Sequence, residues 1–166
     1  MNPRLLLLAA ALAALPALAA DPAVEVTFTD LARFRDLRTS PFATDRERLG
    51  LAETLREHVI ARAPRYLPKD TRLAVTITDV DMAGEFRPVG GSLNTGDIRI
   101  VRDIYPPRVD LEFRLLRADG TVEREGRREL RDQMFLTGAS PGQSDLLRYE
   151  KILLDRWLER EFAPKR

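Results

Sequence analysis

Three carboxylates fall within seven residues in the stretch ITDVDMAGEF: Asp79, Asp81 and Glu85. Clustered carboxylates can do general acid–base work, hold a hard cation through their oxygens, or present a recognition surface to a polar partner. Just upstream, Leu73, Val75 and Ile77 alternate as the inward face of a strand should, and continuing that alternation puts Asp79 and Asp81 on the same face. Asp97 and Asp103 could add oxygens, but DVDMAGE is not an EF-hand spacing. It lacks the third ligand and the closing glutamate. No metal is assigned, and Asp79 and Asp81 remain only weak candidates for one. The competing reading is a strand end whose acids pair with Arg87, Arg99, Arg102 or Arg108.

A second segment, RDIYPPR, sets Arg102, Asp103, Tyr105 and Arg108 around Pro106-Pro107. Such a mixture forms either a rigid recognition edge for a partner chain or a strand that its prolines keep from mispairing. The candidate contact residues are therefore Asp79, Asp81, Glu85, Arg102, Asp103, Tyr105 and Arg108, beside the glycine-rich loop 84–96.

Other chemistries find no residues. Nucleophilic catalysis wants a nucleophile with a base, yet the chain has no cysteine and one histidine, His58. His58 lies mid-helix in line with Leu51, Leu55 and Arg62, and reads as a partly buried helix-face side chain. No GxSxG, SxxK or HExxH pattern occurs. A structural zinc site has no donors. Glycoside chemistry needs an aromatic-lined cleft, whereas aromatics make up 7% of the chain and Trp157, its one tryptophan, falls on a helix stripe. Gly84, Gly90, Gly91 and Gly96 match no phosphate-loop spacing. No catalytic residue and no cofactor is assigned.

The elements that must position these residues are legible. VEVTFTD alternates as a strand. Thr44-Asp45-Arg46-Glu47 is a capping box opening a helix that runs to about Ala63, where Pro64 stops it, with Leu51, Ala52, Leu55 and Val59 as its stripe. A strand over about 72–80 follows, then the 84–96 loop and a strand over 97–104. Val109, Leu111, Phe113 and Leu115 are the inward face of the next strand. A turn at Ala118-Asp119-Gly120 leads into a charged strand. With loop 118–121, Phe113 faces Gly126, Arg114 faces Glu125 and Glu112 faces Arg127, so opposite charges meet and the ring covers the glycine. A last helix starts at Ser144-Asp145 with Leu146, Leu147, Tyr149, Leu153, Leu154, Trp157 and Leu158 on one stripe, Phe162 closing its end. The expected fold is α+β: an antiparallel sheet of four to five strands with two main helices packed on one face.

The opening MNPRLLLLAAALAALPALAADP has one basic residue, an apolar run broken by Pro16, and a small-x-small ending at Ala17-Leu18-Ala19. It reads as a signal peptide over 1–20, followed by one domain over 21–166. Cleavage removes Arg4 and no acid, leaving 26 basic against 26 acidic residues. A neutral exported domain is a poor nucleic-acid binder. Without a cysteine there is no site for a lipid anchor and no disulfide, so stability must come from a hydrophobic core. No segment after the leader is expected to span a membrane.

VEVTFTD, ITDVDMAGEF, DIRIVRDIYPPRVDLEFRL, REGRREL and RYEKILLDRWLEREF together resemble the exported bacterial family of domain of unknown function 3016. That resemblance implies a small periplasm-type protein of Gram-negative bacteria and transfers no catalytic residue. A weaker, fold-level likeness is to small exported α+β domains of envelope lipoproteins and assembly factors. The expected function is a periplasmic binding or interaction module contacting another envelope protein. The alternatives are a carboxylate-based or divalent-cation-dependent periplasmic enzyme, and a purely structural or stress-related envelope protein.

Overall fold

The computed structural model describes residues 23–87, 98–138 and 145–164. The leader, most of the 84–96 loop, and Ser144 lie outside the described residues. The order is β1 (Val24–Phe28), α1 (Asp45–Arg62), β2 (Thr71–Asp81), β3 (Glu85–Arg87), β4 (Ile98–Ile100), β5 (Arg108–Arg117), β6 (Val122–Arg131) and α2 (Arg148–Phe162), with single 3-10 turns at Leu31–Arg33, Ala63–Arg65 and Phe135–Gly138. This is an α+β fold. β1, β2, β5 and β6 form one sheet in that order, and β3 pairs with β4 in a second, two-stranded one.

The expected antiparallel sheet is mixed in one place. β1 runs parallel to β2, because α1 carries the chain back to the end at which β1 began. β2, β5 and β6 are antiparallel. The hairpin register is the one the charges favour: Phe113 faces Gly126, Arg114 faces Glu125 and Glu112 faces Arg127. A Cβ on Gly126 would stand 3.3 Å from Phe113 Cε1 and 2.7 Å from Arg128 Nη1, so glycine lets the ring and the guanidinium lie close over the strand.

Both helices pack on one face of the larger sheet. Val24, Val26, Leu73, Val75, Ile77, Leu111, Phe113 and Leu115 meet Leu51, Leu55 and Val59 of α1 and Leu153, Leu154, Trp157 and Leu158 of α2 in one core cluster. Trp157, Phe162 and Phe113 form an edge-on trio with centroids 5.5–5.8 Å apart, the ring geometry that adds most to simple burial. Thr44 caps α1 by accepting from Glu47 N–H at 3.3 Å, while the Glu47 carboxylate takes the Thr39 N–H at 2.6 Å.

Two details differ from expectation and a third adds to it. Leu146 is exposed rather than on the α2 stripe, because Asp145 accepts from Leu147 N–H at 2.9 Å and the helix begins only at Arg148. The strand expected over 97–104 ends at Ile100, since Tyr105 N–H bonds Arg102 C=O at 3.0 Å and turns the chain toward buried Pro106 and Pro107. His58 is more than a filler on its helix face: its Nε2 lies 2.9 Å from Asp155 Oδ1, which also accepts from Arg62 Nε at 3.0 Å, joining α1 to α2.

Candidate functional site

Strand β2 does not keep its alternation. Ile77 faces Leu111 and Asp79 faces Asp110, so Thr78 is an extra residue in a β-bulge. Val80 and Met82 then take over the core face. Asp79 and Asp81 do share a face, but it is the one turned away from the helices. This corrects the inward placement that strict alternation gives.

The acids are held by an arginine outside the four expected ones. After β1 the chain runs on beside β2, with Asp36 N–H bonded to Val80 C=O and Met82 N–H to Asp36 C=O, both at 3.0 Å. That puts Arg35 over both carboxylates. Its backbone N–H donates to Asp79 Oδ1 at 2.7 Å, and its guanidinium lies 3.9 Å from Asp79 and 3.5 Å from Asp81. Burial pushes the Asp81 carboxyl up against the opposing pull of Arg35, and neighbouring Asp36 and Asp79 push it the same way. Across the strands, Asp79 faces Asp110. Two acids so placed repel. Arg108 relieves this by gripping Asp110 with two bonds of 2.9 and 2.7 Å, and reaches Glu129 at 3.6 Å.

Glu85 is elsewhere, on β3. Partial desolvation raises its carboxyl, but hydrogen bonds from Tyr105 and Arg87 and the charges of Arg87 and Arg102 outweigh this and hold it below the usual range. Arg102 and Asp103 are exposed on the turn after β4. The seven candidates therefore form two groups: Asp79, Asp81 and Arg108 on the open face of the large sheet, and Glu85, Arg102, Asp103 and Tyr105 on or next to the small one.

Between the groups, a buried clamp fixes the MAG turn. Arg99, on β4, donates to Asp36 Oδ2 at 2.9 Å, to Arg38 C=O at 3.0 Å, and to the carbonyls of Met82, Ala83 and Gly84 at 3.3–3.4 Å. Its guanidinium lies 4.3 Å from the centre of the Phe86 ring, a cation–π distance. From below, Glu150 of α2, fully buried, accepts from Ala83 N–H at 2.8 Å. Burial raises the Glu150 carboxyl to about 7, against the pull of the Ala83 N–H and the Arg99 charge; Asp145 pushes it up further. Gly84 has φ +91, and a Cβ there would stand 2.6 Å from Ile100 C=O, so only glycine fits the turn. Sequence reasoning missed Arg35, Asp36, Asp110 and Glu150, and offered Arg99 only as a partner for Asp79 or Asp81, whereas it pairs with Asp36. Glu150 alone carried a signal: it occupies a stripe position, with Leu153, Leu154 and Trp157 at i+3, i+4 and i+7.

The open face is largely polar, with Ala74, Leu116 and Val122 set among its charges. Thr27, Thr76, Glu112, Glu125 and Arg127 stand across it, and Thr27 and Thr76 share a hydroxyl contact of 3.1 Å. It is hollowed twice. One concavity of about 470 Å³ is lined by Thr29, Asp30, Arg33, Asp79, Asp110 and Arg127. The other, of about 390 Å³, lies over Thr76, Glu112, Arg114, Glu125 and Arg127. Arg127 borders both. The buried Thr78 hydroxyl at the bulge borders the first and has no partner among the described residues.

A family model described as Protein of unknown function (DUF3016) matches residues 22–160. The chain belongs to this family. The match spans every element from β1 into α2, so the clamp and the open face both belong to the DUF3016 domain. No curated protein and no solved structure matches the chain. Among the described residues, no helix of this DUF3016 chain is long and apolar enough to cross a membrane.

One consequence of the ion-pair geometry is testable. Arg35 is half exposed and Asp81 one-third exposed, so water screens the pairing. Replacing Asp79 and Asp81 together by Asn should cost less than about 1 kcal/mol in urea unfolding. The double variant should therefore fold normally and serve to probe contacts.

Proposed function

We propose that the chain is an exported binding or protein-interaction module of the Gram-negative envelope, and that the open polar face of its sheet is the contact surface. One observation carries the reading: both helices cover the same side of the sheet, and the other side is a two-hollowed field of paired charges. A face of this kind suits a polar partner, because its alternating acids and arginines offer a charge pattern that a complementary surface can match in one orientation. The leader-like opening residues support export. The partner is another envelope protein rather than nucleic acid, since acids and arginines alternate across the face without a basic excess.

The alternative, carboxylate or divalent-cation chemistry, draws less support from the geometry. Asp79 and Asp81 are each engaged by Arg35 on an open surface instead of converging in a closed pocket.

The test is to express the full chain in a Gram-negative host, recover it by osmotic shock, and weigh it by native mass spectrometry. The reading predicts a chain shortened by about 20 residues, as leader removal requires, with excess mass that vanishes on denaturation and is lost in the Asp79→Asn/Asp81→Asn variant. Retention in the cytoplasm at full length would overturn export. A bare mass, or an excess other than a second copy of the chain that the double substitution leaves untouched, would overturn the acidic contact surface.

A further inference from the structure

Strand β6 is an outer strand of the sheet among the described residues. Which of its backbone groups face outward follows from the ladder. Arg117 N–H bonds Thr121 C=O at 2.9 Å, so odd-numbered β5 residues point toward β6. The register then gives Arg124, Gly126, Arg128 and Leu130 as the β6 residues that answer them. The far side of the sheet agrees: Leu73 N–H bonds Ala23 C=O and Thr29 N–H bonds Ile77 C=O, so odd-numbered β2 residues serve β1 and the even ones before the bulge serve β5. Glu125, Arg127, Glu129 and Arg131 are left with their N–H and C=O groups directed away from the sheet. Their side chains are exposed and form an acid–base–acid–base row on the open face.

Charged residues usually guard an edge strand against pairing. Here the signs favour one register over its neighbours. Let a second copy pair antiparallel about a two-fold axis through residue 128. Glu125 then faces Arg131 of the second copy and Arg127 faces its Glu129, and symmetry repeats both contacts. These are the hydrogen-bonded pairs, because they are the residues with outward backbone groups. An axis at residue 127 sets Glu125 against Glu129. An axis at 126 sets Glu123 against Glu129 and Arg124 against Arg128. An axis at 129 sets Arg127 against Arg131. The axis at 126 also pairs Glu125 with Arg127, and one at 130 pairs Glu129 with Arg131, but only the axis at 128 matches all four outward residues with opposite charges.

The residue on the axis is prepared for its position. Two Arg128 side chains would meet there, but each is already folded onto its own chain, with Nε and Nη2 on Glu161 at 2.8 and 3.0 Å and the guanidinium 5.1 Å from the centre of the Phe113 ring. Arg128 Nη1 donates to Arg127 C=O at 2.9 Å, and the second lone pair of that oxygen remains for an N–H of the second copy.

We propose that β6 is a self-pairing edge, and that two copies join through antiparallel β6 strands registered at Arg128 into one eight-stranded sheet. An axis perpendicular to the sheet points both open faces the same way, so pairing would double the polar surface. The proposal does not rest on that surface having a partner. In native mass spectrometry an excess equal to the chain's own mass reports self-pairing, and any other excess reports a different occupant.

Analytical ultracentrifugation of the mature chain tests it, with Arg127→Glu and the combined Arg127→Glu/Glu129→Arg variant. Arg127→Glu turns two symmetric attractions into repulsions and should weaken the dimer about 100-fold or more, and the combined swap should return it to within about 10-fold. Glu125→Arg/Arg131→Glu gives a second, independent swap with the same expectation, and circular dichroism checks that each variant folds. The chain has no cysteine, so single-cysteine variants report the register directly. Arg128→Cys should oxidise to a covalent dimer, since non-hydrogen-bonded pairs bring Cβ atoms to about 4.5–5.5 Å, and Glu125→Cys should not. A chain that stays monomeric at about 200 µM, where an interface of roughly 5 kcal/mol would already show, overturns the proposal. So does a dimer indifferent to Arg127→Glu, or cross-linking at position 125 instead of 128.

Discussion

Replacing Arg99 by Met should destabilise the protein by about 3 kcal/mol and lower its Tm by roughly 10 °C, the scale for breaking a buried ion pair in a domain of this size. The side chain is only 11% exposed. Its removal strands one oxygen of the Asp36 carboxylate, the Arg38 carbonyl and the three carbonyls of the MAG turn. The cost stays at the lower end because Arg38 Nε keeps Asp36 Oδ1 at 3.0 Å. Arg99→Lys should recover only a minor part, since a single ammonium cannot reach five oxygens spread around a planar fork. Urea unfolding with the slope held constant measures this. A loss below about 1 kcal/mol, the level of a surface pair, would mean that the turn is held by something other than Arg99.

Glu150 should make the protein less stable as pH rises. Its folded-state carboxyl titrates at about 7, raised from 4.5. The folded state therefore binds this proton more tightly than the unfolded chain. The resulting stability is complete below about pH 4.5, declines as pH rises, and is gone above about pH 7. A rise of this size corresponds to about 3 kcal/mol between the two limits. Glu150→Gln keeps an acceptor for Ala83 N–H and removes the ionisation, so the variant should gain on the parent by about this amount between pH 4 and pH 8. Parallel pH–stability curves for the two proteins would contradict the assignment. The charges that tune Glu150 are Arg99 from β4 and Asp145 from the turn before α2. Arg99→Met should therefore shift the same titration upward.

These two residues also mark where the sequence could be read and where it could not. Local rules carried the α1 cap, the inward faces of β2 and β5, and the β5–β6 register, because each depends on residues close in the chain or directly opposed by charge. The bulge at Thr78 broke the alternation argument: nothing in ITDVD announces an extra residue, and one residue is enough to turn both acids to the other face. Arg35 was invisible as their partner for a different reason. It arrives 44 residues earlier in the chain by a parallel extension beyond β1, and an expected antiparallel sheet has no such strand. Asp110 looked like an ordinary outward residue of an alternating strand and is buried only because Arg108 folds over it. Of the seven candidate residues, Asp79, Asp81 and Arg108 lie where one surface can use them. Glu85 and Tyr105 instead brace the small sheet.

The proposed contacts are made by the open face of the sheet and not by its helices. In-cell photo-cross-linking from two positions of the chain tests this. A benzophenone side chain at Glu112 stands exposed at the middle of the open face, and one at Glu57 stands exposed on α1. The account predicts a discrete adduct from position 112 that disappears with Asp79→Asn/Asp81→Asn, and none from position 57. An adduct from position 57 alone would place the contact surface on the helices and contradict it.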